Sequence, residues 1–142
     1  MRALLDINVL LALLDCDHFD HGRARSWLET EIVGGWASCP ITENGFVRII
    51  SRSRYPNPIT PAEAIGLLAG AAEQPHHEFW DCDLSLLDPA IVDRSRLLGP
   101  RQVTDAYLLA LAVAHGGRFV TFDQSISIAV VRGATTHDLG VV

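Results

Sequence analysis

Short apolar runs alternate along this chain with longer segments whose apolar residues recur at helical spacing, and few folds accept that alternation. Ala3 to Leu5, Trp36 to Ser38, His77 to Trp80 and Arg118 to Phe122 read as strands. Ile7 to Leu14, His21 to Val33 and a segment opening at Pro40 to Thr42 read as helices. In the last of these Phe46, Val47, Ile49 and Ile50 share a face. Thr60 and Pro61 combine a capping hydroxyl with proline at the first helical position, so a helix runs from there through Ala71. Thr104 to His115 is almost wholly apolar and predicts a helix buried on most sides, stopped by Gly116 and Gly117. SLLDPAIVDRSRLL reads as a short helix, Gln124 to Val131 as another, and Ala134 to His137 as a last strand. Strands separated by helices pair in parallel, which predicts an α/β fold with a mainly parallel sheet covered on both faces.

At 142 residues and 49% hydrophobic, the chain is long enough for one domain with a real core, spanning 1–142. No apolar run approaches the ~20 residues of a membrane span, and no export signal follows Arg2, so a soluble cytoplasmic protein is expected. All 11 basic residues are arginine, which rules out chemistry built on a lysine. The net charge of −6 argues against a broad basic face for duplex binding but leaves room for a small nucleic-acid site. Cys16, Cys39 and Cys82 are odd in number and widely spaced, which fits buried thiols better than a disulfide framework. His18 with His21, and His76 with His77, have no second ligand pair at zinc spacing and read as exposed loop histidines.

Asp6, Glu43, Asp105 and Asp123 each stand where a strand gives way to a helix or where a helix opens. Right-handed crossovers bring such positions to one rim of a parallel sheet, where ligands bind. Any one of them alone reads as a helix cap or dipole partner, as do the remaining aspartates. Four together would repel one another, and a hard dication with oxygen ligands and retained waters relieves that repulsion. The chemistry so implied is metal-assisted phosphodiester hydrolysis.

The segments LLDINVLLALL, HGRARSWL, GGWASCPITENGFVRI, RYPNPITPAEA and LGPRQVTDAYLLALAVAHGGRFVTFD, in this order, resemble a PIN domain, and closely the VapC toxins of bacterial toxin–antitoxin pairs. The resemblance covers essentially the whole chain and implies a PIN-like three-layer α/β/α sandwich. It implies an Mg²⁺- or Mn²⁺-dependent ribonuclease with Asp6, Glu43, Asp105 and Asp123 as its acidic quartet. Asn8 and Thr121 match supporting polar positions, and Thr104 precedes the third acid as a capping residue. It further implies a homodimer and a VapB-type antitoxin whose C-terminal segment covers the acidic cleft. Ile7 departs from the small polar residue that many relatives carry after the first Asp, and QSISIAVV lacks a further acid seen in some of them. Arg48 and Arg52, four apart beyond Glu43, read equally as RNA phosphate contacts and as a solvated face. Tyr55 and the three tryptophans read as packing residues more than base-stacking ones. A phosphoryl-transfer protein with Asp6 as nucleophile is disfavoured by the absence of lysine and by Asn8 where its second acid would stand, and the alternative kept is a catalytically silent RNA- or protein-binding module.

Overall fold

A computed structural model describes residues 1–142. Five parallel strands form one sheet: β1 (Ala3–Leu5), β2 (Trp36–Ser38), β3 (His77–Phe79), β4 (Arg118–Thr121) and β5 (Leu139–Val141), in the spatial order β3-β2-β1-β4-β5. Five helices connect them: α1 (Ile7–Leu14), α2 (His21–Glu31), α3 (Pro40–Ile50), α4 (Pro61–Ala72) and α5 (Gln102–Ala114).

Alternation along the strands sorts the core into two layers. Ala3, Leu5, Trp36 and Val120 pack against Val9 and Leu10 of α1, Phe46 and Ile50 of α3, and Ala64 and Leu68 of α4. Leu4, Ala37 and Phe119 face the opposite way, onto α5. Every residue from Ala106 to Ala112 is buried, so α5 is enclosed nearly all round, as its composition predicts. The Thr60 hydroxyl accepts from the Glu63 N–H, and the Glu63 carboxylate accepts from the Thr60 N–H, closing the expected start of α4. Gly116 adopts φ 63°, the left-handed turn that ends α5.

Three sequence expectations fail. SLLDPAIVDRSRLL forms turns and one short 3-10 segment at Arg94–Arg96. The Asp88 carboxylate accepts from Ala90 N–H and that of Asp93 from Ser95 N–H, local bonds that compete with a helix ladder. Gln124 to Val131 likewise yields only a 3-10 turn at Ile128–Val130, because the Asp123 carboxylate captures the Ser125 N–H. The last strand is β5, later than expected: Thr135 and Asp138 cap each other around a 3-10 turn at Thr136–Asp138. No helix is long and apolar enough to cross a membrane.

Candidate active site at the ends of the central strands

Strands β1, β2 and β3 are added in one direction and β4 and β5 in the other, so the order reverses between β1 and β4. Open parallel sheets bind ligands at such a reversal, beyond the carboxyl ends of the strands. Asp6 follows β1 and caps α1, where its carboxylate accepts from the Ile7 N–H at 2.7 Å. Its other oxygen accepts from the Thr121 hydroxyl at 2.6 Å. Thr121, the fully buried last residue of β4, in turn accepts from Asn8 Nδ2 at 3.2 Å and from the Asp123 N–H at 3.1 Å. One hydroxyl therefore ties the ends of β1 and β4 together. Asp105 projects from the first turn of α5. With Asp123 it lines a cleft of about 180 Å³ that also includes Arg101, Gln102, Ser125 and Ser127.

Two of the three aspartates, Asp105 and Asp6, feel the charge of a neighbouring one. Burial, followed by the charges of Asp6 and Asp123, pushes the Asp105 carboxyl up to about 6. Burial also raises Asp6, against the lowering effect of its Thr121 and Ile7 hydrogen bonds, and the Asp123 charge adds to the rise. Asp123 lies outermost and is lowered, because the Ser125 hydroxyl and N–H donate to its carboxylate at 2.6 and 2.8 Å. The Oδ1 of Asn8 is buried beside them without a hydrogen-bond partner. These are all hard oxygen donors. No three acidic, histidine or cysteine side chains close on a common point to hold a metal unaided. Such a donor set suits a hydrated hard cation, held by one or two carboxylates and otherwise by water.

The PIN domain family model matches residues 3–130. The chain belongs to the PIN domain family. Ribonuclease VapC44 of Mycobacterium tuberculosis is 65% identical over 142 residues, covering 100% of both chains. Ribonuclease VapC39 of the same organism is 43% identical over 134 residues, 94% of this chain and 96% of that one. Among solved structures, VapBC2 from Rickettsia felis, bound to a DNA fragment from its promoter, aligns with a TM-score of 0.60 at 15% identity. The alignment covers 87% of this chain and 89% of that one. At that identity the likeness is one of fold.

In this PIN domain Glu43 lines a different cleft from Asp105 and Asp123. It lies in the first turn of α3, and its carboxylate accepts from the buried Ser38 hydroxyl at 2.7 Å. With the serine proton so committed, His77 Nε2 at 2.8 Å is the donor to Ser38 Oγ. The Glu43 side chain borders a groove between α3 and α4, alongside Val47, Leu68 and Ala72. His77 opens β3, in keeping with the strand expected from His77, and is half-buried and tilted against Trp36 with ring centroids 4.3 Å apart, so its reading as an exposed loop histidine is corrected. Thr104 does not cap α5 either: the helix begins at Gln102, and Thr104 faces a second cleft with Arg48. Arg52 lies in the turn after α3 and lines none of the described clefts. Arg101, Asn44 and the Ser38–His77 pair were missed from sequence, because no motif marks them and only packing shows which way they point. Ser125 could have been found, since D-x-S after a strand is a common side-chain-to-backbone turn.

Proposed function

We propose that this PIN domain is a divalent-cation-dependent endoribonuclease, the toxin of a VapB–VapC type toxin–antitoxin pair. The carrying observation is the gathering of Asp6, Asp105 and Asp123 at the reversal point of the sheet, where burial and the charges of Asp6 and Asp123 raise Asp105 to about 6 and the Asp123 charge adds to the rise of Asp6. Full-length likeness to Ribonuclease VapC44 points the same way. Asp6, Asp105 and Asp123 are the residues that would hold a hydrated Mg²⁺ or Mn²⁺, one or two of them directly and the rest through water, and such an ion would supply a water of lowered pKa and charge neutralisation at the phosphate. Thr121 fixes the Asp6 carboxylate, and Asn8 offers its free Oδ1 to a bound water. Glu43 contributes directly only if it leaves Ser38.

The reading extends to the rest of the molecule. Residues 1–142 act as one domain, since β5 at 139–141 completes the same sheet beyond the family match. A VapB-type antitoxin masks the acidic cleft, the active form is a homodimer, and the site of action is the cytoplasm, where RNA substrate is available. The name VapBC2 of the Rickettsia felis complex supports the antitoxin partner.

Purified protein, free of antitoxin, should cut structured RNA in Mg²⁺, stop when chelator is added, and lose cutting in Asp105→Asn without losing its fold. Parental cutting rates in Asp6→Asn and Asp105→Asn together would remove the aspartates from the chemistry. RNA binding without cleavage in every metal would make this a binding module.

A further inference from the structure

A second cleft, of about 390 Å³, opens beside the aspartates and is lined by Ile7, Ile41, Asn44, Arg48, Cys82 and Thr104 among others. Ile7 directly follows Asp6, and Thr104 directly precedes Asp105, so this cleft adjoins the acidic one. Its character is different. No carboxylate lines it, whereas Asp105 and Asp123 line the neighbouring cleft. Gly45 and Ile7 meet closely at its floor: a Cβ on Gly45 would come within 2.1 Å of Ile7 Cδ1, so a larger residue there would have to displace the Ile7 side chain. Asn44 and Arg48, one turn apart on α3, are exposed at its edge. The ion pairs of the chain engage Arg2, Arg25, Arg96, Arg118 and Arg132, which leaves Arg48 free.

We propose that this cleft is a subsite for one unpaired purine base of the RNA, next to the phosphate that is cut. The inference rests on the ribonuclease reading above and deepens it. A nucleobase has apolar faces and a hydrogen-bonding rim. Ile7, Ile41 and Cys82 provide apolar walls, while Asn44 and Arg48 provide polar groups along one side. Arginine pairs with O6 and N7 of guanine, and asparagine with N6 and N7 of adenine. N7 belongs to purines alone, so both side chains favour a purine over a pyrimidine. The separation of tasks is electrostatic: the acidic cleft takes the cation and phosphate, and the uncharged-to-basic cleft takes the base.

The test is to digest single-stranded RNA of randomised sequence with parental protein, Asn44→Ala, Arg48→Ala and Arg52→Ala, and to sequence the fragment ends. Purines should be enriched at one position adjoining the cut. Asn44→Ala and Arg48→Ala should each reduce that enrichment about fivefold or more, the lower end of what a bidentate base contact supplies. Arg52→Ala should retain it. A pyrimidine preference, no preference, or a preference unchanged in Asn44→Ala overturns the proposal. So does uniform slowing by Arg48→Ala with Asn44→Ala silent, which marks a phosphate contact. If the parental protein does not cut at all, the ribonuclease reading has failed. Binding of Asp105→Asn protein to oligoadenylate against oligouridylate then decides the subsite alone: a purine advantage that Asn44→Ala removes supports it, and equal affinities overturn it.

Discussion

The Thr121 hydroxyl serves three partners, and the placement of two catalytic candidates depends on it. It donates to Asp6 and accepts from Asn8 and from the backbone of Asp123. A hydroxyl has one proton, so the Asp6 carboxylate takes it and the amide groups must be donors. Glu43 shows the opposite arrangement. Its carboxylate is engaged by Ser38, which is backed by His77, and the charges that shift Asp105 come from Asp6 and Asp123. Glu43→Gln should therefore retain at least about tenfold more cleavage than Asp105→Asn, a gap of ~1.4 kcal/mol in barrier. Matched single-turnover rates measure this directly, and equal losses would mean that Glu43 swings into the site during turnover.

Helices α1 and α3 touch where Ile7 lies over Gly45, and both residues line the second cleft. Gly45→Ala forces a methyl into that space and should destabilise the protein by about 1–3 kcal/mol, as overpacked cores do. Adding Ile7→Ala should return part of the loss, since it removes the atom that clashes. Urea melts of the two single variants and the double variant would detect the coupling, and strictly additive losses would refute it. Elements with strong, independent signals matched their sequence reading. The Thr60–Pro61 start of α4 and the apolar run of α5 needed no tertiary information. The expected helices over residues 85–98 and 124–131 failed because Asp88, Asp93 and Asp123 bond to backbone amides two residues on. Apolar spacing does not register that competition.

For the molecule as a whole, the crowded aspartates impose a cost on folding that pH reveals. Asp105 has a raised folded-state pKa, about 6, against about 3.9 for a free aspartate. The folded state therefore binds the proton more tightly than the unfolded one. The resulting stability is fully present below about pH 4 and is lost as pH rises toward and through about 6. Asp6 shifts in the same direction. Without metal, Asp105→Asn should become progressively more stable relative to the parental protein between pH 4 and pH 7. Added Mg²⁺ should narrow the difference at pH 7. Melting temperatures in chelator and in Mg²⁺ across that range would show it, and a pH-independent difference would contradict the burial and charge assigned to Asp105.

At this same scale, the sequence by itself determined the α/β class, the parallel pairing and the ends of the strands that carry Asp6 and Asp123. These follow from local patterning: apolar runs, caps, glycine stops and the alternation of strand with helix. It also singled out Asp105 by residue type and Thr121 by resemblance. Which acids meet was decided by the tertiary structure alone. Glu43 and Asn44 are neighbours in the chain, yet on α3 they point about 100° apart. Glu43 meets Ser38 and the groove beside α4, whereas Asn44 lines that groove and also reaches the cleft beside Asp6 and Asp105. That rotation belongs to the long-range packing of α3, which buries Phe46 and Ile50 in the core and brings Gly45 against Ile7, and no local pattern encodes it.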